Sequence, residues 1–286
     1  MKKWRTLMLV GAVLIGIVAV GIAYGSWQWT RGTRALRERL EQAREPIAPA
    51  RVDRAALDGL PEPVQRFFRT ALTDGAPMIA SVHVRHRGTF NMGKDTELWK
   101  PFVSDQRVIV RRPGFDWDAR VAMMPLVPVH VHDAYVAGEG ILRAAVYGLL
   151  PVMSMPNTRE LAQGELMRWL AEAAWYPTAL LPGPQVAWQP HDDRSAYATL
   201  TDGDLSLRML FTFGDDGLIA SVRSEERGRM VGDRPVPTPW EGRFWDYEER
   251  QGMRVPMEGE VAWILPDGPA PYWRGRIERI TYQFAE

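Results

Sequence analysis

Charged residues recur at helical spacing in the stretch ELMRWLAEAAW, which begins at Glu165. Glu165, Arg168 and Glu172 are three and four residues apart, so one guanidinium can reach both carboxylates on the same helix face. Trp169 and Trp175 add apolar bulk to the segment. The group could be an exposed ladder, a buried ionic group that docks the helix on a sheet, or part of a site. We favour partial burial, with these five residues docking the helix or lining a ligand cavity.

A second polar pattern is found in FDWDAR, where Asp116, Asp118 and Arg120 alternate with other residues and therefore share one face of a strand. Two carboxylates on one face can perform acid–base chemistry. The arginine beside them favours a salt-bridged or solvated strand instead. Asp133, in a neighbouring strand-like stretch, is a further polar candidate.

The best candidate metal ligands are His130 and His132, because residues two apart on a strand point the same way. Asp133 should point to the opposite face, so the third ligand is missing from the pattern. A half-exposed strand that happens to carry two histidines is the favoured interpretation. Cysteine is absent, which excludes disulfides and cysteine-ligated zinc. The sequence therefore predicts no metal and no other cofactor.

The charge distribution argues against a nucleic-acid partner. The 286 residues carry 35 Lys and Arg against 35 Asp and Glu. Residues 1–45 hold eight of the basic and three of the acidic residues, which leaves 27 basic against 32 acidic residues in the remainder. A nucleic-acid binder needs a basic surface, whereas most of this chain is mildly acidic.

The N-terminal segment predicts a membrane anchor. The apolar run Leu7–Tyr24 has 18 residues and would span about 27 Å as a helix, close to the thickness of the hydrocarbon layer. A signal peptide has a shorter apolar region, and Trp27 and Trp29 stand where an aromatic belt belongs. The basic residues before the run favour a cytoplasmic N-terminus. We therefore expect a single-pass protein of the bacterial inner membrane with an extracytoplasmic domain.

Three regions are predicted along the chain: an anchor over residues 1–30, a juxtamembrane helix and linker over 31–59, and one β-rich domain over 60–286. The domain begins with a helical pattern at LPEPVQRFFRTAL, continues with alternating strand-like stretches, and has one helical block at about 158–175. Eleven or twelve strands joined by tight turns indicate a large antiparallel meander. A sheet of that size curls, so we predict a mainly β fold in which a half-barrel or open barrel surrounds the helical insert.

Several blocks together resemble a bacterial family of unknown function that occurs in membrane-anchored or exported proteins. They are LPEPVQRFFRTAL, PGFDWDARVAM, DAYVAGEG, ELMRWLAEAAWYPTALLP and PWEGRFWDY, and the resemblance covers nearly all of residues 60–283. It implies no activity and no functional residues. The strand count with one helical insert is also similar, in architecture only, to half-barrel carriers that hold lipid or lipoprotein acyl chains.

The leading functional hypothesis is a non-enzymatic, membrane-tethered protein that binds a lipid or another hydrophobic ligand. An envelope hydrolase that uses a carboxylate cluster and an envelope scaffold protein are the alternatives. A cavity lined by aliphatic side chains would favour the first, convergent carboxylates in a cleft the second, and an exposed apolar patch without a cavity the third.

The mature protein should retain Leu7–Tyr24, because the length of this run suits a bilayer better than a signal peptidase. N-terminal sequencing of the protein from the membrane fraction should return the start of the chain. A mature chain that begins near Ser26 would contradict the prediction.

Overall fold

The computed structural model describes residues 2–93, 96–232 and 234–285. In this part of the chain there are three α-helices: α1 (Lys2–Gln42), α2 (Glu62–Ala71) and α3 (Arg159–Glu172). The strands are β1 (Ile79–Asn91), β2 (Trp99–Ile109), β3 (Gly114–Met124), β4 (Val127–Val136), β5 (Glu139–Val146), β6 (Leu150–Ser154), β7 (Val186–Asp192), β8 (Ser195–Asp202), β9 (Leu205–Phe213), β10 (Ile219–Val231), β11 (Arg234–Arg250), β12 (Met253–Leu265) and β13 (Gly268–Phe284). Short 3-10 turns occupy Arg54–Leu57, Ala173–Trp175 and Pro177–Leu180.

All of these strands form one antiparallel sheet in the order β6-β5-β4-β3-β2-β1-β13-β12-β11-β10-β9-β8-β7. Strands that follow one another in the chain are neighbours in each half, and β1 pairs with β13 to join the halves. The sheet is open, with β6 and β7 at its edges. Helix α3 lies in the connection between these edges and contacts β3, β4 and β5 on one side and β9 and β10 on the other. The predicted curved meander around a helical insert is confirmed.

Helix α3 forms where the sequence places it and is buried almost all round. Thr158 caps its N-terminus by accepting a hydrogen bond from the amide of Leu161 at 3.2 Å. Leu166, Met167 and Leu170 are buried with most of their neighbours. A helix that buries residues on nearly every side has to be enclosed by protein, and here the curved sheet encloses it.

Helix α2 covers another part of the core. Pro61 and Glu62 begin it, in agreement with the sequence pattern. The apolar stripe of Val64, Phe67, Phe68 and Leu72 is at most 5% exposed and packs in the main hydrophobic core. The sheet therefore has α2 and α3 as the helical parts of its interior.

The strand count differs from the expected eleven or twelve, because thirteen strands occur in the described residues. The additional strand is β6, Leu150–Ser154. All five of its residues are exposed, and its sequence LPVMS lacks the apolar–polar alternation by which a strand is recognised. Strand β2 begins at Trp99, where Lys100 and Pro101 weaken the local strand signal.

Helix α1 is continuous across the predicted boundary at residue 30. Most of its side chains from residue 3 to residue 20 are exposed, which fits a candidate membrane span. Its second half lies on the outer face of β2, β3 and β4, where Leu36 and Leu40 pack against Ile109, Ala134 and Val136. Residues 31–42, which lie in the region of the predicted juxtamembrane helix and linker, are helical and pack on the sheet.

We predict opposite effects of two Gly→Ala substitutions at the α3–sheet contact. A Cβ at Gly140 of β5 would stand 2.6 Å from the backbone nitrogen of Ala162, so Gly140→Ala must displace α3 and should cost about 1–3 kcal/mol of unfolding free energy. Gly164 lies within α3 with open space around it, so Gly164→Ala should gain up to about 1 kcal/mol. Chemical denaturation of both variants tests the contact, and equal effects would contradict it.

Candidate functional site

An apolar cavity of about 630 Å³ lies on the concave face of β3–β6. Apart from Asp133, the described residues that line it are apolar: Phe90, Met92, Trp117, Val121, Met123, Met124, Val127, Val129, Val131, Leu142, Ala144, Val146, Val152 and Met153. Strand alternation produces this lining, because every second residue of VPVHVHD points inward and three of these are valines. Apolar side chains make up most of these walls, so the cavity suits an apolar ligand.

The cavity follows β4 from the turn that precedes it toward the middle of the sheet. Val127 lines it at the start of the strand and Asp133 lines it six residues later, a distance of about 20 Å. A smaller cavity of about 110 Å³ continues beyond this point and shares Phe90, Trp117 and Asp133 with the larger one. Arg168 and Glu172 of α3 also line the smaller cavity. An elongated ligand would thus meet apolar walls first and charged groups last.

Arg168 binds two carboxylates, Asp133 of β4 and Glu172 of its own helix, and so connects α3 to β4. Its NH1 donates to Oδ2 of Asp133 at 2.6 Å and its Nε donates to Oε1 of Glu172 at 2.7 Å. The side chains of Arg168, Asp133 and Glu172 are 15%, 18% and 12% exposed. Gln106 of β2 donates to the other oxygen of Glu172 at 2.6 Å. The guanidinium also lies over the rings of Phe115 and Trp117, at 4.8 and 5.0 Å.

Glu165 does not supply the second carboxylate that the helical spacing suggests for Arg168. That carboxylate is Asp133, and Glu165 is buried close to Asp133. Burial, followed by the nearby Asp133 charge, raises the pKa of Glu165 well above its usual value.

The opposite face of the same strands holds a second polar group, which binds α1. Nε1 of Trp29 donates to Asp118 at 3.0 Å, and Oγ1 of Thr33 lies 3.0 Å from Asp118 and 2.7 Å from Nε2 of His132. The rings of Trp29 and His132 stack with centroids 4.1 Å apart. Burial lowers the pKa of His132 to about 4, so this imidazole is neutral at pH 7.

Arg37 extends this contact one turn further along α1. It donates from Nε to Asp116 at 2.8 Å and from NH2 to Asp105 at 2.9 Å. Burial raises the pKa of Asp116 to about 6, although the hydrogen bond from Arg37 acts in the other direction. His83 Nε2 lies 2.7 Å from the second oxygen of Asp105.

The residues proposed from the sequence are thus divided between two faces of the sheet. Glu165, Arg168, Glu172 and Trp175 lie inside the curve, together with Asp133, and Trp169 is buried there with Nε1 donating to the carbonyl of Ile109 at 3.1 Å. On the outer face are Asp116, Asp118, Arg120, His130 and His132. No group of three metal-binding side chains occurs in the described residues, and the two histidines lie beside Trp29.

Sequence reasoning missed two features: the side chains of α1 that bind the polar residues of β3 and β4, and the residues near the hairpin turns that line the cavity. Thr33, Leu36, Arg37 and Leu40 recur at helical spacing within the charged run, and this stripe is a signal for a docked helix face. Met and Val residues near hairpin ends carry no such signal, because the sequence does not show which hairpins meet.

The chain belongs to a family of unknown function, DUF6920, whose model matches residues 58–282. This match confirms the family resemblance carried by the sequence blocks. No match is found among curated proteins.

Three solved structures are similar to this chain. A LolA superfamily protein from Nitrosomonas europaea is 11% identical with a TM-score of 0.39, covering 87% of this chain and 93% of its own. A DUF1329 family protein from Desulfovibrio piger is 11% identical with a TM-score of 0.40, covering 81% and 94%. An outer membrane lipoprotein-sorting protein domain from Vibrio parahaemolyticus is 9% identical with a TM-score of 0.36, covering 71% and 85%. These values are too low to transfer a ligand or partner to this chain.

We predict that Arg168→Ala is strongly destabilising. The substitution leaves Asp133 and Glu172 poorly solvated and without their cation, and should cost roughly 3–5 kcal/mol of unfolding free energy. Arg66→Ala is the matched control, because Arg66 forms an exposed pair with Glu62 on α2 and should lose less than about 1 kcal/mol. Chemical denaturation of both variants makes the comparison. Equal small losses would show that the Arg168 group is effectively solvated.

Proposed function

We propose that the protein is a membrane-tethered, non-enzymatic binding protein that holds the apolar chain of a lipid or similar molecule in the cavity along β4. The observation that carries the proposal is the lining of this cavity, in which Asp133 is the one charged residue among the described lining residues. Its volume of about 630 Å³ is within the usual range of ligand sites. Polar ligands would find few hydrogen-bonding partners along its walls.

The position of Asp133 and Arg168 supports a ligand with a polar end. Both line the smaller cavity that follows the apolar one. Arg227 and Arg243 also line it, so the far end contains cationic groups together with carboxylates and aromatic rings. A chain that enters from the turns would place its apolar part along β4 and its far end near these groups.

The tether is helix α1. Its apolar segment is long enough to cross a bilayer, and the proposal places it in the bacterial inner membrane with the sheet on the extracytoplasmic side. The predicted division into 1–30, 31–59 and 60–286 becomes in this proposal a span, a docked helix with its linker, and the binding domain.

The positions of the carboxylates favour binding over hydrolysis. Asp116 and Asp118 face α1 on the outer side of the sheet, whereas Asp133 and Glu165 lie inside the curve. These four groups therefore cannot act on one substrate. Inside the curve, Arg168 pairs with Asp133 and Glu172, and these ion pairs hold α3 in place rather than leaving the carboxylates free to act on a substrate.

Photocrosslinking in cells tests the proposal on the full chain in its own membrane. Cells that express the protein are fed a photoreactive fatty acid, irradiated, and the lipid adducts are mapped by mass spectrometry. We expect adducts on peptides of β3 and β4 as well as on the N-terminal span. Val131→Trp fills the cavity and should reduce the β3 and β4 adducts at least about tenfold, the effect of about 1.4 kcal/mol of lost binding free energy.

Val103→Trp is the matched control, because Val103 is 53% exposed on the outer face of β2. It should leave the adducts unchanged. Adducts on the N-terminal span alone, in the wild type, would contradict lipid binding in the cavity while supporting the tether.

A further inference from the structure

Helix α1 fixes the distance between the sheet and the apolar span, because it touches the turn between β5 and β6. A Cβ at Gly25 would stand 2.6 Å from the carbonyl oxygen of Tyr147 and 2.7 Å from Cβ of Leu149, so only glycine allows this approach. Leu149 also lies beside Gly21, four residues closer to the N-terminus. The turn is therefore level with the last residues of the span Leu7–Tyr24.

Aromatic and basic residues mark the same level on the exposed side of α1. Tyr24 and Trp27 are 54% and 56% exposed, and the guanidinium of Arg31 lies 5.7 Å from the ring of Trp27. Tyr and Trp prefer the boundary between acyl chains and headgroups, and cations just beyond this boundary favour anionic lipids. When the span is in a bilayer, the β5–β6 turn lies at its surface.

The hairpin turns at this end of the strands expose large apolar side chains. They form a surface that we call the apolar rim, made of Met92, Leu98, Met124, Leu126, Leu150 and Met153, with exposed fractions between 41% and 91%. The β1–β2, β3–β4 and β5–β6 turns lie at the same end of the sheet, because the strands between them form an antiparallel meander. Contiguous exposed apolar surface marks a contact with a protein or a membrane.

Leu126 is the clearest member of the rim. It is 91% exposed in the turn between β3 and β4 and has φ of 65°. Such a turn position favours Asn or Gly, and water favours a polar residue there. Neither local backbone preference nor solubility accounts for leucine at this position, whereas contact with acyl chains does.

The cavity opens within this rim. Met92, Met124 and Met153 belong both to the rim and to the cavity lining. Val127 lines the cavity beside the β3–β4 turn, and Val146 lines it beside the β5–β6 turn. The cavity leads away from the rim toward Asp133. Its mouth therefore faces the same side as the apolar span of α1.

We infer that the apolar rim inserts into the surface of the bilayer that holds α1, so that the cavity exchanges its apolar chain directly with the adjacent leaflet. The inference rests on the membrane tether of the proposed function. The docking partner is a lipid bilayer, recognised by exposed apolar side chains beside an aromatic and basic girdle. The apolar chain then moves between bilayer and cavity without crossing water.

Site-specific fluorescence of the full-length chain in vesicles of phosphatidylethanolamine and phosphatidylglycerol tests the inference. The chain has no cysteine, so Leu126→Cys, Leu150→Cys, Val10→Cys and Glu249→Cys each allow one environment-sensitive label. Labels at 126 and 150 should show blue-shifted emission, quenching by nitroxide lipids and loss of quenching by aqueous iodide. Val10 lies within the span, and Glu249 lies near the end of β11, at the end of the sheet opposite to the rim, so they are the lipid-quenched and iodide-quenched controls.

The controls separate failure of the inference from failure of the tether. Iodide quenching at 126 and 150 with lipid quenching at 10 would overturn rim docking and leave the tether intact. Iodide quenching at position 10 would overturn both. A label at 126 that neither reagent quenches, with disulfide-linked dimers of Leu126→Cys under oxidant, would assign the rim to a second copy of the chain and overturn bilayer docking.

Discussion

The ionic contact between Arg168 and Asp133 determines how the curved sheet is filled. Helix α3 comes from the connection between the two edge strands, so its position sets the space that remains inside the curve. Charges that leave water need partners, and Arg168 finds Asp133 on β4 and Glu172 on its own helix, with Gln106 completing the group. A helix that is apolar on nearly all sides could pack at many rotations. The buried charge specifies one of them and leaves the cavity beside it.

Strand β4 couples the two sides of the sheet through its alternation. Its inward residues, from Val127 to Asp133, form the cavity wall, and its outward residues, from His130 to Val136, receive helix α1. Neighbouring β3 does the same with Trp117 inside and Asp116 outside. A register slip of one residue would exchange the two surfaces. The docking of α1 and the cavity thus depend on the same hydrogen-bonded ladder.

The sequence was informative where a local period determines burial. The stripe of Val64, Phe67 and Phe68, the α3 segment and most strands follow from helical or alternating patterns. It was less informative where long-range contacts decide. Helical spacing predicted that Arg168 binds Glu165, but Asp133, 35 residues earlier, takes that place because the sheet brings it closer. The docking of α1 and the meeting of three hairpin ends likewise depend on the curvature of the whole sheet, which no short pattern encodes.

The unbroken course of α1 limits the mechanical freedom of the protein. Between Tyr24 and Gln42 the helix rises about 27 Å, and the sheet is fastened along this length by Trp29, Arg37 and Leu40. A flexible linker would let a domain rotate and extend outward, whereas this continuous helix holds the domain at a fixed distance and orientation. In the proposed function, the domain therefore stays within a few nanometres of the bilayer that holds α1, and any acceptor in another compartment would have to come to it.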